Sequence, residues 1–276
     1  MKFSIVTISY NQSRFLEQAI RSVIEQDYPD IEYIVVDPGS TDGSREIIER
    51  YRDRITKVIF DPDKGPADGL NKGFAVATGD IYGFLNSDDV LLPSAIQKAA
   101  EFFRQRPNLD VISGHSLILD GEGKIVRISH SDSFSLRATA YGCCVLMQAS
   151  TFFKKDVYLL IGGFNIDNRS NWDRELFVDM ALKGAKFGLI NDAWGGYRVH
   201  SESITGSKKL DASIQIYGER IFKKIMGRDK QLFDNVLSIG YRLSKHIKNP
   251  AGLYQRIVHG PVYGNVSNNS LFSKIT

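Results

Sequence analysis

Between residues 3 and 90 the chain alternates short apolar runs rich in β-branched residues with stretches whose apolar residues recur at helical spacing. The run "FSIVTISY" is followed by Phe15, Leu16, Ala19, Ile20, Val23 and Ile24 on one helical face, with Asn11 and Ser13 as capping residues. "IEYIVVD" comes next, then the turn "PGSTDGS" and a helix carrying Ile47, Ile48 and Tyr51. The strand "ITKVIF", a helix over 67–77 and the strand "IYGFL" complete the series. Strands separated in this way form βαβ units with right-handed crossovers and a parallel sheet. The expected class is α/β, with a mostly parallel, Rossmann-like central sheet flanked by helices.

Three of these strands stop at polar clusters: Ser9 to Asn11, Asp37 to Asp42, and Asn86 to Asp89. In open α/β sheets ligands bind outside the carboxyl ends of strands, so the three clusters should share one rim. The last cluster sets Asp88 beside Asp89, and neighbouring carboxylates repel unless a cation, a helix start or water takes up the charge. Neither G-x-G-x-x-G after a strand nor G-x-x-x-x-G-K-[ST] occurs, so a dinucleotide or P-loop site has little support. A nucleotide diphosphate at this rim needs another counter-charge. Mg²⁺ or Mn²⁺ held by one or two carboxylates, with phosphates as further ligands, would supply it, and Asp88 is placed to hold the ion.

Pro93 should begin another helix, with Ala95, Ile96, Ala99, Ala100, Phe102 and Phe103 on its apolar side. "DVISGHSLILDGEGKIVRIS" reads as a hairpin turning at Asp120-Gly121-Glu122-Gly123. Residues 130 to 170 are less periodic. "NWDRELFVDMALKG" reads as a helix with Leu176, Phe177, Met180 and Ala181 inward and Gly184 past its end. From about 208 the chain again looks helical. Ile214, Tyr217, Ile221 and Ile225 form one stripe, and Leu232, Phe233, Val236, Leu237 and Tyr241 another.

Charge divides the chain at the same place. Residues 1 to 206 hold 23 Lys+Arg against 28 Asp+Glu, or −5, and residues 207 to 276 hold 12 against 4, or +8, which sum to the net +3. Two units are therefore expected, 1–206 with the rim and a basic, mainly helical extension over 207–276. A basic amphipathic helix suits an anionic membrane surface, and packing on the main unit suits it equally. With 42% hydrophobic and 24% charged residues the chain reads as soluble and globular. No apolar run reaches the roughly 18 residues that span a bilayer, and the start lacks a signal-peptide layout. The expected location is the cytoplasm, with peripheral contact at the inner face of the plasma membrane. Adjacent Cys143 and Cys144, in an apolar stretch, read as buried thiols rather than a zinc site or a disulfide.

"SIVTISYNQSRFLEQAIRSVIEQDYPDIEYIVVDPGSTDGS", then "GPADGLNKGFAVATGDIYGFLNSDD", "WDRELFVDMALKGAKF" and "YRVHSESIT" resemble, in order and at suitable spacing, the successive motifs of family 2 glycosyltransferases with the A-type fold. The resemblance spans about residues 3 to 206. It implies a metal-dependent, inverting hexosyl- or N-acetylhexosaminyl-transferase that draws on a nucleotide diphosphate sugar, with a UDP-sugar the first choice. It also implies a glycan or lipid-linked acceptor in surface polysaccharide assembly, and no role for nucleic acid. Residue by residue, Asp37 matches the aspartate that contacts the donor base, and Thr7, Ser9 and Tyr10 match the wall of that pocket. Asp68 and Asn71 fall in the segment bordering the nucleotide. Asn86, Ser87 and Asp88 match the Asp-x-Asp motif, and Asp173 matches the catalytic base. His200 lies where a residue near the diphosphate or metal is often found. Two departures stand out: Pro38 replaces a second aspartate, and Asn86 replaces the first aspartate of the metal motif.

The chemistry asks for the same division of labour. Inverting transfer needs one base to take the acceptor proton while the anomeric carbon is attacked opposite the leaving group. A metal at the departing diphosphate removes the need for a protein acid there. Asp173 and Asp88 fit those two roles. Two other readings remain open at this stage: a degenerate sugar-nucleotide-binding scaffold, suggested by Asn86 and Pro38, and a sugar-nucleotide pyrophosphorylase. The second lacks its Gly-rich, basic loop after the first strand. Several residues also have plain structural readings: Asp37 and Asp42 as turn and cap residues, Asp88 and Asp89 as caps of the helix after Pro93, Asp68 and Asp173 as helix-start carboxylates, His200 as a surface histidine, and Trp172 and Trp194 as packing.

Overall fold

The computed structural model describes residues 1–200, 203 and 211–260, and the expected boundary at 206/207 lies outside them. Strands β1 (Phe3–Ile8), β2 (Ile31–Val36), β3 (Lys57–Ile59) and β4 (Ile81–Asn86) pair in parallel in the order β3-β2-β1-β4. Three of them are near-continuous apolar runs because helices cover both faces of the sheet. In β1, Phe3 and Ile5 face α1 (Ser13–Ile24), whereas Val6 faces α3 (Pro66–Ala75). Helix α2 (Ser44–Arg50) crosses from β2 toward β3. Ile8 is in register with Val36 on one side and Asn86 on the other, so the three polar clusters do share one rim.

Beyond β4 the sheet becomes mixed. Strand β5 (Val90–Leu91) follows the rim, and α4 (Ala95–Gln105) packs Ile96, Ala99 and Phe103 onto the α1 side. This helix begins two residues after Pro93, because Ser94 adopts a left-handed conformation with φ 61°. The expected hairpin forms from β6 (Val111–Leu119) and β7 (Ile125–Ser129). Helix α5 (Leu136–Ala140), strand β8 (Thr151–Lys154) and helix α6 (Lys155–Ile161) occupy the less periodic stretch. β8 inserts antiparallel between β4 and β6; α7 (Trp172–Leu182) and β9 (Phe187–Arg198) follow, and the full order is β3-β2-β1-β4-β8-β6-β9-β5.

Helix α3 lies close to the sheet because Gly73 faces it: a Cβ there would collide with Val6. That approach carries the Gly65–Pro66 turn to the rim. Two expected caps are absent. Gln12 is the residue before α1 and makes no side-chain cap, whereas the Asp42 carboxylate accepts from the Ser13 amide at 2.8 Å and the Ser44 amide at 3.0 Å. Asp42 therefore ties the starts of α1 and α2 together, as the turn reading anticipated. Cys143 and Cys144 are buried free thiols, and burial pushes the Cys144 thiol up.

Helices α8 (Asp211–Met226), α9 (Asp234–Lys248) and α10 (Pro250–His259) pack on the rest of the chain. Lys224 Nζ lies 2.9 Å from Glu175 and 2.7 Å from Asp179 on α7. Asp234 accepts two hydrogen bonds from the Arg228 guanidinium, at 2.7 and 2.8 Å, and one from the Tyr141 hydroxyl at 2.8 Å. Lys245 pairs with Asp132 at 2.9 Å. The second expected stripe does not hold as one face. Tyr241 stacks on Tyr141 toward the body, whereas Leu232 and Val236 face away and are exposed.

Candidate active site

The rim opens into a cleft of about 800 Å³. Ser9 and Tyr10 after β1, Pro38 and Gly39 after β2, and Asp63, Lys64 and Gly65 before α3 line one side. Asn86, Ser87 and Asp88 after β4 form its floor, and Arg169, Ser170, Trp172 and Asp173 come from the loop into α7. Parallel pairing of β2, β1 and β4 makes three distant segments adjacent, and the start of α7, which packs on the same face of the sheet as α3, adds a fourth.

Asp88 and Asp89 separate sharply. Asp88 Oδ2 lies 3.1 Å from His200 Nε2, and Asp88 lines the cleft. Asp89 is buried, where its Oδ1 accepts from the Arg198 amide at 2.9 Å and its Oδ2 accepts from Asn86 Nδ2 at 3.2 Å. Burial first, and the Asp88 charge second, push the Asp89 carboxyl well above the usual range. Arg198 in turn donates from Nε to the Asp88 carbonyl at 2.8 Å. One carboxylate thus serves the cleft while its neighbour fastens the loop to β9.

Among the described residues, no group of three or more His, Cys, Asp and Glu side chains could hold a metal ion. Asp88 and His200 offer one carboxylate and one imidazole nitrogen side by side. That set fits a hard divalent ion whose shell is completed by substrate phosphates and water, the usual way such ions sit between few protein ligands and a nucleotide.

Asp173 occupies the first turn of α7, half-buried and facing the cleft. Burial raises its pKa, more than the amide hydrogens of Arg174 and Asp173 and the Arg174 charge lower it. The helix start alone would have made it a weaker base, so burial decides the direction. Across the cleft, the Ser9 hydroxyl is buried with no hydrogen-bond partner. Buried polar atoms are normally paired, so this hydroxyl has both its donor and its acceptor capacity open beside the cleft. Tyr10 exposes its ring beside it.

The structure thus brings Ser9, Tyr10, Asn86, Ser87, Asp88 and Asp173 together on the cleft, with His200 behind Asp88. Four other candidates are not on its wall. Thr7 shares the inward parity of Phe3 and Ile5, and its hydroxyl accepts from Tyr33 at 3.0 Å in the core. Asp37 is fully buried, and its carboxylate accepts from the Gly39 and Ser40 amides, the Ser40 hydroxyl and Arg45 Nε. Ser40 then accepts from the Asn11 amide at 2.8 Å, so Asp37 acts by fixing the two loops that hold Tyr10 and Pro38. Asp68 accepts from the Lys64 amide at 2.9 Å and shapes the turn before α3. Asn71 is spent on Tyr158 and the Phe164 backbone.

Asp63, Lys64, Gln148 and Arg169 line the cleft and were not singled out in the sequence. Gly65, at φ +122°, is where the Arg169 guanidinium approaches, since a Cβ there would meet Nη1 at 2.5 Å. Trp172 both lines the cleft and packs on Phe84 and Phe164, whereas Trp194 is core.

Residues 4–161 match the model of Glycosyl transferase family 2. An uncharacterized glycosyltransferase of Nostoc sp. is 41% identical over 130 residues, 46% of this chain and 40% of that protein. TuaG of Bacillus subtilis, whose name assigns it to teichuronic acid biosynthesis, is 29% identical over 213 residues, 74% of this chain and 82% of that one. Among solved structures, S. aureus TarS 1–349 in complex with UDP-GlcNAc superposes with a TM-score of 0.66 at 19% identity, over 93% of this chain and 76% of that one. The mannosyltransferase PcManGT of Pyrobaculum calidifontis, in complex with GDP-Man and Mn²⁺, gives 0.64 at 18% identity, over 95% and 76%. The mixed sheet, the helices on both its faces and the cleft at the strand ends are the A-type glycosyltransferase fold, and the chain belongs to glycosyl transferase family 2.

Proposed function

We propose that this protein transfers a sugar, with inversion, from a nucleoside diphosphate donor to a hydroxyl of a glycan or lipid-linked acceptor in surface polysaccharide assembly. The observation that carries the reading is one cleft holding the Asp88–His200 pair at the strand ends and Asp173 on the entering helix. Ser9 and Tyr10, braced by Asp37 through Ser40, form the wall suited to the base. A UDP-sugar is the first choice of donor, consistent with the nucleotide named in the TarS complex.

Asp88 and His200 would hold Mg²⁺ or Mn²⁺ together with the donor phosphates; when bound, the ion neutralises charge on the departing diphosphate. Arg169 and Lys64 add protein cations to the same cleft. Asp173 takes the proton of the acceptor hydroxyl as its oxygen bonds to the anomeric carbon and the bond from that carbon to the diphosphate oxygen breaks. The raised pKa of Asp173 brings its basicity closer to working pH, which favours proton removal. The work falls on the cytoplasmic side, where nucleotide sugars are made, with residues 1–206 as the catalytic unit.

Incubation of the purified protein with radiolabelled UDP-sugars and Mn²⁺ tests the reading. Transfer or slow donor hydrolysis should appear, and Asp173→Asn should abolish it while nucleotide still binds. Nucleotide binding with no turnover under any donor and acceptor would favour the scaffold reading.

A further inference from the structure

Several polar groups tie α9 and α10 to the body: Asp234 accepts from the Tyr141 hydroxyl, Lys245 and Asn249 both reach Asp132, and Arg127 donates to the Gln255 and Gly260 carbonyls. The exposed sides of these helices carry an apolar stripe among cations. On α9, Val236, Ile239, Leu243 and Ile247 recur at helical spacing and are 60 to 80% exposed. On α10, Tyr254 and Ile257 are 63% and 73% exposed. Contiguous exposed apolar side chains mark a surface that contacts something else.

Charge selects the occupant. Arg242, Lys248 and Arg256 are exposed along these same two helices. Asp234, the last acidic residue of the chain, is buried against Arg228, so α9 and α10 present no carboxylate to solvent. A second copy meeting this face across a two-fold axis would set these cations against one another with nothing to pair them. A bilayer with anionic headgroups accepts both components: acyl chains receive the apolar stripe, and headgroups receive the flanking cations. We propose that the outward faces of α9 and α10 form a membrane-docking surface for anionic lipid, held in fixed orientation by the Tyr141–Asp234 hydrogen bond and the Lys245–Asp132 pair.

The proposal is independent of sugar transfer, and the experiment keeps the two apart. The full chain is sedimented with vesicles of phosphatidylcholine alone or with 30% phosphatidylglycerol at low ionic strength, and each variant is also titrated with UDP and Mn²⁺. The chain should bind the anionic vesicles and not the neutral ones. The Ile239→Ser/Leu243→Ser pair should lose binding, and Arg242→Gln and Lys248→Gln should each weaken it about fivefold. These side chains are exposed, so the variants should keep the wild-type melting temperature and nucleotide affinity. Absence of vesicle binding, or binding indifferent to lipid charge and to these variants, overturns the proposal. A concentration-dependent dimer abolished by Ile239→Ser/Leu243→Ser, without vesicle binding, overturns it in favour of a second copy. Vesicle binding as expected with no nucleotide binding would leave the docking surface standing and remove the transferase reading.

Discussion

Asp88 and His200, 112 positions apart in the chain, meet at 3.1 Å between Oδ2 and Nε2, Asp88 just before β5 and His200 just after its antiparallel neighbour β9. Asp89 makes the meeting possible: its buried carboxylate receives the Arg198 amide, which draws β9 and the residues after it against the loop that carries Asp88. Two neighbouring carboxylates thus divide into a candidate metal ligand and a fastener, and the Asp88 charge adds to burial in raising the pKa of Asp89.

Removal of the ligand should affect binding more than folding. Asp88→Ala is expected to weaken metal-dependent nucleotide binding by about tenfold or more, with His200→Ala somewhat milder. Isothermal titration with UDP and Mn²⁺, alongside a thermal melt that stays near wild type, checks both.

Removal of the fastener should do the reverse. Asp89→Ala leaves the Arg198 amide buried without an acceptor, and the expected cost is about 1–3 kcal/mol of stability. Urea unfolding measures it; a midpoint equal to wild type would mean that Arg198 finds another partner.

Asp173→Asn should reduce turnover by about 10²–10⁴ while leaving donor affinity close to wild type. Because burial raises the Asp173 pKa, the ionised carboxylate disfavours the fold above that pKa, and the variant should melt no lower than wild type at neutral pH. The acid limb of the kcat/KM profile should lie above the ordinary aspartate value of about 3.9, because activity requires the deprotonated form. A variant that loses stability and keeps activity would assign Asp173 to the helix start alone.

Acid stability has a separate source. Glu32 is buried, and although burial alone would raise its pKa, hydrogen bonds from Ser4, from the Thr78 amide and hydroxyl, and from Lys2 bring it down to about 2. A folded pKa below the unfolded value of about 4.3 gives stability that is present at neutral pH and lost as pH falls from there toward 2. Glu32→Gln should flatten the dependence of unfolding free energy on pH between about 5 and 2.

The α8 contact with the cleft loop can be tested too. Lys224 holds Glu175, a buried carboxylate that also accepts from Asn165 and Asn168 in the segment leading to Arg169. Lys224→Met should loosen that segment and raise the donor KM several-fold, with a smaller change in kcat. A change confined to stability would limit α8 to packing.

The parallel half of the sheet was legible because fully buried strands leave unbroken apolar runs, and its rim was legible because polar residues interrupt those runs at one level. The second half was not. β8 is four residues long and takes its place between β4 and β6 only through tertiary pairing, which no local period announces. In the site, residue types at strand ends picked out Ser9 and Asp88, and the family resemblance of "WDRELF" picked out Asp173, all three of which line the cleft. Sequence did not show which way a carboxylate turns, so Asp37, Asp68 and Asn71 were placed with the donor although their polar atoms are engaged within the protein. Arg169 and Lys64 gave no signal, being single cations in loops, and the outward stripe of α9 emerged only once Tyr241 was seen to face inward.

Calorimetric titration of the protein with UDP, GDP and dTDP, each with Mn²⁺ and with EDTA, tests the central claim most directly. One of the three should bind in Mn²⁺, lose most of its affinity in EDTA, and lose it equally in Asp88→Ala. Binding that ignores both EDTA and Asp88→Ala, or no binding by folded protein, would contradict a cleft in which Asp88 and a divalent ion hold the nucleotide.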